Sequence, residues 1–164
     1  MSDEGASANE RLLAAAKQDN EDMLLAVFEE DGAYDINYVD GLGNTALHYA
    51  AQYGSTDCIE HILEQDGCDV DIQNRLEKAT PLHLAVRLED EELRYWVVAS
   101  LLDAGANPKI RNKFSQTPID MLADDDEHTR EIFRKAAASA TMIAAGDLVD
   151  EDDLEEGDEG SEED

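Results

Sequence analysis

Hydrophobic residues in the segment 43–71 recur at intervals of three and four positions, and glycines interrupt them. An alanine-rich run follows Thr45, a good N-cap residue, and stops at Gly54. Ser55 is expected to cap a second apolar run with the spacing of one helix face, which ends at Gly67. This pattern predicts two short helices joined by a tight turn.

The same pattern recurs along the chain. "TALH" at 45–48 returns as "TPLH" at 80–83 and, in a weaker form, as "TPID" at 117–120. Upstream of these, two helical runs lack the Thr–His signature; downstream, a first helix of the same kind and a more charged second helix are expected. Such an internal period indicates a repeat architecture. We expect four units, at about 10–39, 40–74, 75–111 and 112–140.

The stretches "TPLHLA" and "LLDAGANP" resemble the ankyrin repeat, and the resemblance covers about residues 10–140. It implies an all-α repeat fold, an ankyrin-repeat solenoid of about four helix-pair units. Short β-hairpin fingers would project from the junctions between the units, and the outer units would act as caps. Residues 1–9 and an acidic tail, 141–164, are expected to be disordered.

The chain departs from the repeat pattern in three places. Gly43 occupies the usual finger-tip position, but Lys78 and Ser115 replace it in the later fingers. Residues 72–79 carry one extra tip residue. The third unit contains "LEDEE" at 88–92, an insertion of about one helical turn between its two helices.

The two recurring histidines could form part of a metal site or could be structural. Stacked helices lie roughly 8–10 Å apart, whereas one zinc bonded to both rings at roughly 2.0–2.1 Å would need their nitrogens within about 4 Å. Each histidine stands three residues after a capping threonine and can bond back to that turn, which satisfies buried polar groups. Structural roles are therefore predicted, with no metal and no cofactor, for Thr45, His48, Thr80 and His83.

The formal net charge of -29 limits the classes of partner. Nucleic acid is disfavoured because binding it requires Lys and Arg against phosphates, whereas a negative field attracts a basic protein. The first residues lack the profile of a secretory signal, and no apolar run approaches the roughly 20 residues of a membrane span. Two cysteines make no disulfide framework. We expect a cytoplasmic and/or nuclear protein that is monomeric by itself.

Catalytic motifs are not found in the sequence. No glycine-rich phosphate loop follows a strand, and no serine or cysteine has the surroundings of a nucleophile. The acidic run "DDDEH" at 124–128 suits a helix N-terminus better than a metal site, because the helix dipole favours acids there. We therefore predict no catalytic residues and do not expect an enzyme.

Repeats of this kind present a concave face built from fingers and first helices, and aromatic and arginine side chains often dominate interfaces. The resemblance implies partner-binding positions on that face, at Leu42, Tyr49, Gln52, Tyr53, Arg75, Leu76, Lys78, Arg87, Leu88, Arg111, Lys113 and Phe114. Alternatively, these side chains merely pack against the next finger. The segments 75–78 and 109–113 hold five of the twelve basic residues, a patch that could contact an acidic peptide or, less readily, RNA.

These features favour a non-catalytic adaptor or escort for a basic protein. The small repeat body, the finger "NPKIRNKF" and the acidic C-terminus are similar to fungal ankyrin-repeat escorts of ribosomal proteins. The alternative is a regulatory or assembly subunit that masks a surface on an enzyme, a proteasome particle or a transcription factor.

Residues 146–164 contain twelve acids and no base, a composition that cannot form a core. This segment would either confer solubility or shield the client.

Overall fold

The computed structural model describes residues 7–30 and 33–151, with side chains as far as residue 139. Seven α-helices and one short 3-10 helix lie in this part of the chain, which contains no β-strand. They are α1 (Ala8–Gln18), α2 (Glu21–Phe28), α3 (Ala46–Tyr53), α4 (Thr56–Leu63), α5 (Pro81–Ala85), α6 (Glu91–Asp103), the 3-10 helix Ile119–Met121, and α7 (Glu127–Glu151).

Helices α1 to α6 form three antiparallel pairs that stack in two layers. The first helices α1, α3 and α5 contact one another in sequence, and in the second layer α4 contacts both α2 and α6. Leucine, isoleucine and valine fill the space between the layers, because both helices of each pair turn an apolar stripe inwards. The large side chains that lose nearly all contact with solvent include Leu12, Leu24, Leu47, Ile59, Ile62, Leu82, Val97, Val98 and Leu101.

Side-chain caps begin several of these helices. Ser7 and Glu10 form a reciprocal capping box at α1, and Asn20 accepts a hydrogen bond from Met23 N at α2. The predicted cap of α4 by Ser55 is wrong: its hydroxyl donates to Ala16 O in the neighbouring pair and makes no cap bond. Asp19 replaces it, because its carboxylate accepts from the backbone N–H groups of the first turn of α4 (residues 57 and 58) at 3.0 and 3.1 Å.

The segments between successive helix pairs, here called fingers, are turns and not paired strands. Residues 40–44, 74–79 and 112–116 are each closed by a backbone bond from the first residue's N–H to the last residue's carbonyl, at 2.9–3.1 Å. The expected β-hairpins are not seen in the described residues, because arms this short give no ladder. The extra residue predicted in the second finger is present: Lys78 N bonds back four residues, whereas Gly43 N and Ser115 N bond back three.

The insertion in the third unit shortens one helix and lengthens the other. Helix α5 has five residues where α3 has eight, and α6 has thirteen where α4 has eight. The insertion begins as a loop and becomes the first turn of α6, which Asp90 caps through Leu93 N. Arg94 fixes the loop, since its guanidinium donates to Leu88 O at 2.7 Å and to Asp126 Oδ2 at 2.8 Å.

The first helix predicted in the fourth unit is wrong. Only the 3-10 turn Ile119–Met121 forms there, with Asp120 in the place of the signature histidine and Thr117 N bonded to its carboxylate at 3.0 Å. Aspartates favour caps over helix interiors, and Asp126 accordingly accepts from Thr129 N at 3.1 Å in the first turn of α7.

The described helices extend into both segments for which the sequence analysis predicts disorder. Helix α1 begins at Ala8, inside the segment 1–9, and α7 continues to Glu151, beyond the expected boundary at 140. Residues 1–6 and 152–164, which the sequence analysis assigns to disorder, lie outside the described residues. The chain divides into two compact units after Thr129.

Candidate protein-binding surface

Thr45 and His48 form a closed hydrogen-bonded unit at the start of α3. Thr45 Oγ1 accepts from His48 N at 3.2 Å, and His48 Nδ1 accepts from Thr45 N at 3.0 Å. Since Nδ1 accepts, Nε2 carries the ring proton and donates to Ala79 O in the next finger at 3.0 Å. The motif therefore caps its own helix and fastens the following finger to it.

Thr80 and His83 repeat this arrangement at the start of α5. His83 Nδ1 accepts from Thr80 N at 3.1 Å, and His83 Nε2 donates to Gln116 O of the third finger at 2.8 Å. Burial lowers the pKa of both His48 and His83, so the neutral ring that this geometry requires is favoured. In the described part of the chain, no group of three or more His, Cys, Asp or Glu side chains could hold a metal ion.

Each finger is also closed from within by the side chain of its first residue. Asp40 accepts from the N–H groups of Leu42 and Asn44, and Asn74 accepts from those of Glu77 and Ala79. Asn112 closes the third finger in the same way, through residues 114 and 116. The fingers therefore have a fixed backbone conformation before any partner binds.

Adjacent fingers are bonded to each other through their backbones. Arg75 N donates to Leu42 O at 2.9 Å, and Lys113 N donates to Glu77 O at 2.8 Å. A Cβ on Gly43, whose φ is +82°, would lie 2.6 Å from Arg75 N, so the first finger needs glycine there. Lys78 and Ser115 adopt the same left-handed conformation, with φ of 56° and 63°. They are the two residues that the sequence places at the glycine position.

A groove of about 580 Å³ lies between the fingers and the ends of the first helices. It is called the concave groove below. The residues that line it are Lys17, Leu42, Asn44, Tyr49, Gln52, Tyr53, Asn74, Leu76, Glu77, Leu84 and Arg87. Six of the twelve predicted partner-binding residues therefore line one surface.

Tyr49 forms the wall of this groove and is itself buried. Its hydroxyl donates to the Asp40 carboxylate, Lys17 Nζ lies 4.5 Å from the centre of its ring, and Tyr53 stacks on it at 6.4 Å. Burial opposes ionisation of Asp40, but the bonds from Tyr49 and from the finger backbone outweigh it and lower its pKa. Tyr49 therefore positions Tyr53, which is the exposed aromatic ring of the groove.

A family model of ankyrin repeats (three copies) matches residues 12–112. The chain belongs to the ankyrin-repeat family. An ankyrin repeat-containing protein of Saccharomyces cerevisiae is 40% identical over 136 residues, which are 77% of this chain and 75% of that protein. Two E3 ubiquitin-protein ligases, of Caenorhabditis elegans and Drosophila melanogaster, are 30% and 32% identical over 103 and 105 residues. Those matches cover 62% and 63% of this chain but only 4% of each ligase.

Membership of this family makes the chain a protein-interaction module, and families of this kind are generally non-catalytic. Both thiols lie far from the range of a nucleophile: burial raises the pKa of Cys58 to about 12 and that of Cys68 to about 11. Among the residues that the structure describes, no helix is long and apolar enough to cross a membrane.

The other predicted partner-binding residues of the ankyrin fingers lie outside the concave groove. Arg75, Lys78, Arg111, Lys113 and Phe114 are all exposed. Together with Lys109 they form a surface called the finger edge below. Leu88, the remaining predicted residue, is half-buried in the inserted loop after α5 and belongs to neither surface.

Five groove residues lie outside the twelve predicted positions: Lys17, Asn44, Asn74, Glu77 and Leu84. Lys17 could have been found by aligning "AAAKQD" of α1 with "YAAQYG" of α3, which places it opposite Gln52. The two asparagines could not be found in this way, because they contribute as buried finger residues, joined by a bond of 2.9 Å from Asn74 Nδ2 to Asn44 Oδ1. Glu77 takes the structural position of Leu42 and Phe114, because its N–H bonds the side chain of the first finger residue as theirs do. The sequence places apolar residues at this position in the other fingers, so it gives no signal for a glutamate.

Proposed function

We propose that this ankyrin-repeat protein is a non-catalytic adaptor or escort that holds one basic protein, such as a ribosomal protein, in the cytoplasm or nucleus. The concave groove and the adjoining finger tips would supply the short-range contacts. The acidic helices and the C-terminal segment would shield the basic regions of the client.

The observation that carries this proposal is the location of the exposed apolar side chains. In the described part of the chain, five large hydrophobic residues are at least about a third exposed, and four of them belong to the predicted face. These four are Leu42 (51%), Tyr53 (53%), Leu76 (61%) and Phe114 (61%); the fifth is Trp96 (36%). Three of the four line the concave groove. Clustered exposed apolar groups are typical of interfaces, and tyrosine and phenylalanine are enriched in interface cores.

The charge of the second helices supports a basic client. Exposed acids begin each of them, at Glu21 and Asp22 in α2, Asp57 in α4, and Glu91 and Glu92 in α6. With a net charge of -29 over the whole chain, the resulting field attracts cations and speeds their association. The same field disfavours nucleic acid as a client.

Affinity capture at two salt concentrations tests this proposal. Three chains would be used to capture proteins from a lysate: the wild type, a groove variant with Tyr53→Ala and Leu76→Ala, and a control. The control carries Glu60→Ala and Glu64→Ala, at exposed residues of α4 and its C-cap. We expect a basic protein that the wild type and the control retain at about 0.15 M salt and that the groove variant loses. Its capture should fall at about 0.5 M salt, where the Debye length is only a few ångströms.

A different result would favour the regulatory or assembly subunit. A stoichiometric complex with a protein that is not basic, unchanged at about 0.5 M salt, would contradict the escort. Equal loss of the client by the groove variant and the control would show that the partner does not use the concave groove.

A further inference from the structure

The cations of the finger edge form no ion pair with any residue that the structure describes. In the described residues, Arg11, Arg87, Arg94 and Arg134 each bond a carboxylate, with N–O distances of 2.5–3.0 Å. No such pair involves the finger-edge cations, which are all exposed, at Arg75, Lys78, Lys109, Arg111 and Lys113. In a chain with 41 acids and 12 bases, five unpaired cations on neighbouring fingers need an explanation.

The acids of the same fingers already have partners within the protein. Asp40 accepts bonds from its own finger backbone and from the Tyr49 hydroxyl. Glu77 pairs with Arg87 at 3.0 Å. At physiological salt, charges more than about 8 Å away are largely screened, so the more distant acids on the second helices cancel little of the positive charge here.

Several of these cations are held in place. Arg111 Nη1 donates to Ser115 O at 2.6 Å, and Lys113 Nζ lies 5.2 Å from the centre of the Phe114 ring. The side chain of Arg75 lies against Gly43 and donates to Gly41 O at 3.5 Å. A surface whose charged groups are already ordered loses less entropy when a ligand binds.

One exposed apolar residue stands beside these cations on each finger: Leu42, Leu76 and Phe114. Backbone bonds between the fingers fix the order of these tips. Stacked repeats lie roughly 8–10 Å apart, and three residues of extended chain span about 10 Å. An extended segment that crosses the fingers would therefore meet a new apolar tip about every third residue, with cations between the tips.

We propose that the finger edge binds an acidic, extended segment of a partner protein that carries an apolar side chain at about every third residue. Charge complementarity favours this occupant: carboxylates would pair with the five cations while apolar side chains contact the exposed tips. Single-stranded RNA is a less suitable occupant, because its bases bind by stacking on aromatic side chains, and two of the three exposed tips are leucines. This inference goes beyond the proposed function, since it concerns an acidic ligand. Leu42 and Leu76 also line the concave groove, so the variants below change Arg111, Lys113 and Phe114, which lie outside it.

Fluorescence anisotropy with the full chain tests the proposal directly. The probe is a labelled (Leu-Asp-Glu)4 peptide at about 0.15 M salt, and (Ser-Asp-Glu)4 has the same charge without apolar side chains. We expect the leucine peptide to bind at least about tenfold more tightly, because only it can use the apolar tips. Raising the salt to about 0.5 M should weaken its binding.

Variants locate the site. Arg111→Glu with Lys113→Glu should weaken peptide binding at least about tenfold, since close attraction becomes repulsion. Phe114→Ser should also weaken it, without any change of charge. Arg134→Glu with Lys135→Glu makes the same change of charge on exposed residues of α7 and should leave affinity within about twofold. Circular dichroism would verify that all three variants fold.

Four outcomes would overturn the proposal. The first is no saturable binding of (Leu-Asp-Glu)4, and the second is equal weakening by the two charge-reversed pairs, which would reduce the effect to net charge. The third is tighter binding of a 12-nucleotide polyuridine, which would make the surface an RNA site. The fourth is displacement of the probe by a peptide of residues 146–164 with the same affinity, because the chain's own segment, at millimolar effective concentration, would then be the occupant.

Discussion

His48 and His83 each place one ring between two repeats, and both ring nitrogens are used. One nitrogen accepts from the capping turn and the other donates to the next finger, at 3.0 Å for His48 and 2.8 Å for His83. An alanine in this position would leave the buried N–H of the capping threonine without its partner. The carbonyl of the next finger would keep only the bond from the first N–H of its own finger. Each of these histidines therefore couples the start of one helix to the finger that follows it.

We expect His83→Ala to lower the free energy of unfolding by about 1–3 kcal/mol, the cost of buried polar groups left unpaired. The loss should depend on pH. Burial lowers the pKa of His83 below its ordinary value of 6.5, so below about pH 6.5 the unfolded chain takes up a proton that the folded chain refuses. Urea titrations between pH 7.5 and 5.5 should show the wild type losing stability, relative to the variant, as the pH falls.

The control for this prediction is a chelator. Because we assign these histidines to hydrogen bonds, EDTA should leave the melting temperature of the wild type unchanged. A drop of several degrees, or parallel pH curves for the wild type and His83→Ala, would contradict the assignment.

Gly43 shows how backbone conformation and the contact between fingers act at the same residue. Gly43→Ala would place a Cβ 2.6 Å from Arg75 N at a φ of +82°, so we expect a loss of about 1–3 kcal/mol in unfolding free energy. Gly41→Ala is the matched control on the same finger, since its Cβ would meet nothing within 4 Å. Thermal melts of both variants would check this, and equal melting temperatures would argue against the contact.

The Thr–His positions were found from the sequence because a motif repeated at a regular interval has local hydrogen-bonding chemistry. The bonding partners of His48 and His83 could not be predicted, because they are backbone carbonyls that stand 31 and 33 residues further along the chain. Backbone carbonyls have no residue-specific signature. For the left-handed conformations of Lys78 and Ser115, the sequence offers one signal, which is that both residues align with Gly43.

At the scale of elements, helix starts depend on neighbouring units as well as on local sequence. Helix α4 has a serine in the cap position, yet Asp19 at the end of α1 supplies the cap across the repeat boundary. Ser55 is used instead to bond Ala16 O. Local propensity predicts that a helix begins near residue 56, but it cannot identify which unit provides the acceptor.

Asp19→Ala should therefore destabilise the protein by about 1 kcal/mol, the usual cost of a lost N-cap, although the residue lies outside α4. Asp19→Asn is the matched control, because its amide oxygen can still accept and asparagine tolerates the left-handed φ of 52°. Hydrogen exchange should show faster exchange at the N–H groups of residues 57 and 58 in the alanine variant alone. Unchanged exchange there would mean that the cap contributes nothing.

The elements that sequence analysis misplaced have different causes. In the third unit, Arg94 joins the inserted loop to the distant Asp126. In the fourth unit, the local bond from Thr117 N to Asp120 closes a 3-10 turn where a helix was expected. An apolar period shows that a helix exists more reliably than where it ends, because end positions depend on such contacts.

On the scale of the whole molecule, the chain separates apolar and basic groups from acidic ones. The concave groove and finger edge hold four of the most exposed apolar side chains, together with the unpaired cations. The acids begin the second helices and fill the C-terminus. The repeat alignment predicted the residues of this face from their positions, but not their division into a groove and an edge, which depends on the depth to which each side chain is buried.

The C-terminal segment offers a test that separates shielding from solubility. Residues 152–164 carry nine acids and no base, and removing them keeps every helix described above, so circular dichroism should change little.

If the client is basic, these acids raise the negative potential around it, which mainly increases the association rate. We therefore expect the chain ending at Glu151 to associate more slowly at low salt. The difference should shrink at about 0.5 M salt, with little change in dissociation, because the concave groove supplies the short-range contacts. Rates measured for both chains across salt concentrations decide the matter: identical association rates at low salt would leave the segment without a role in capturing the client.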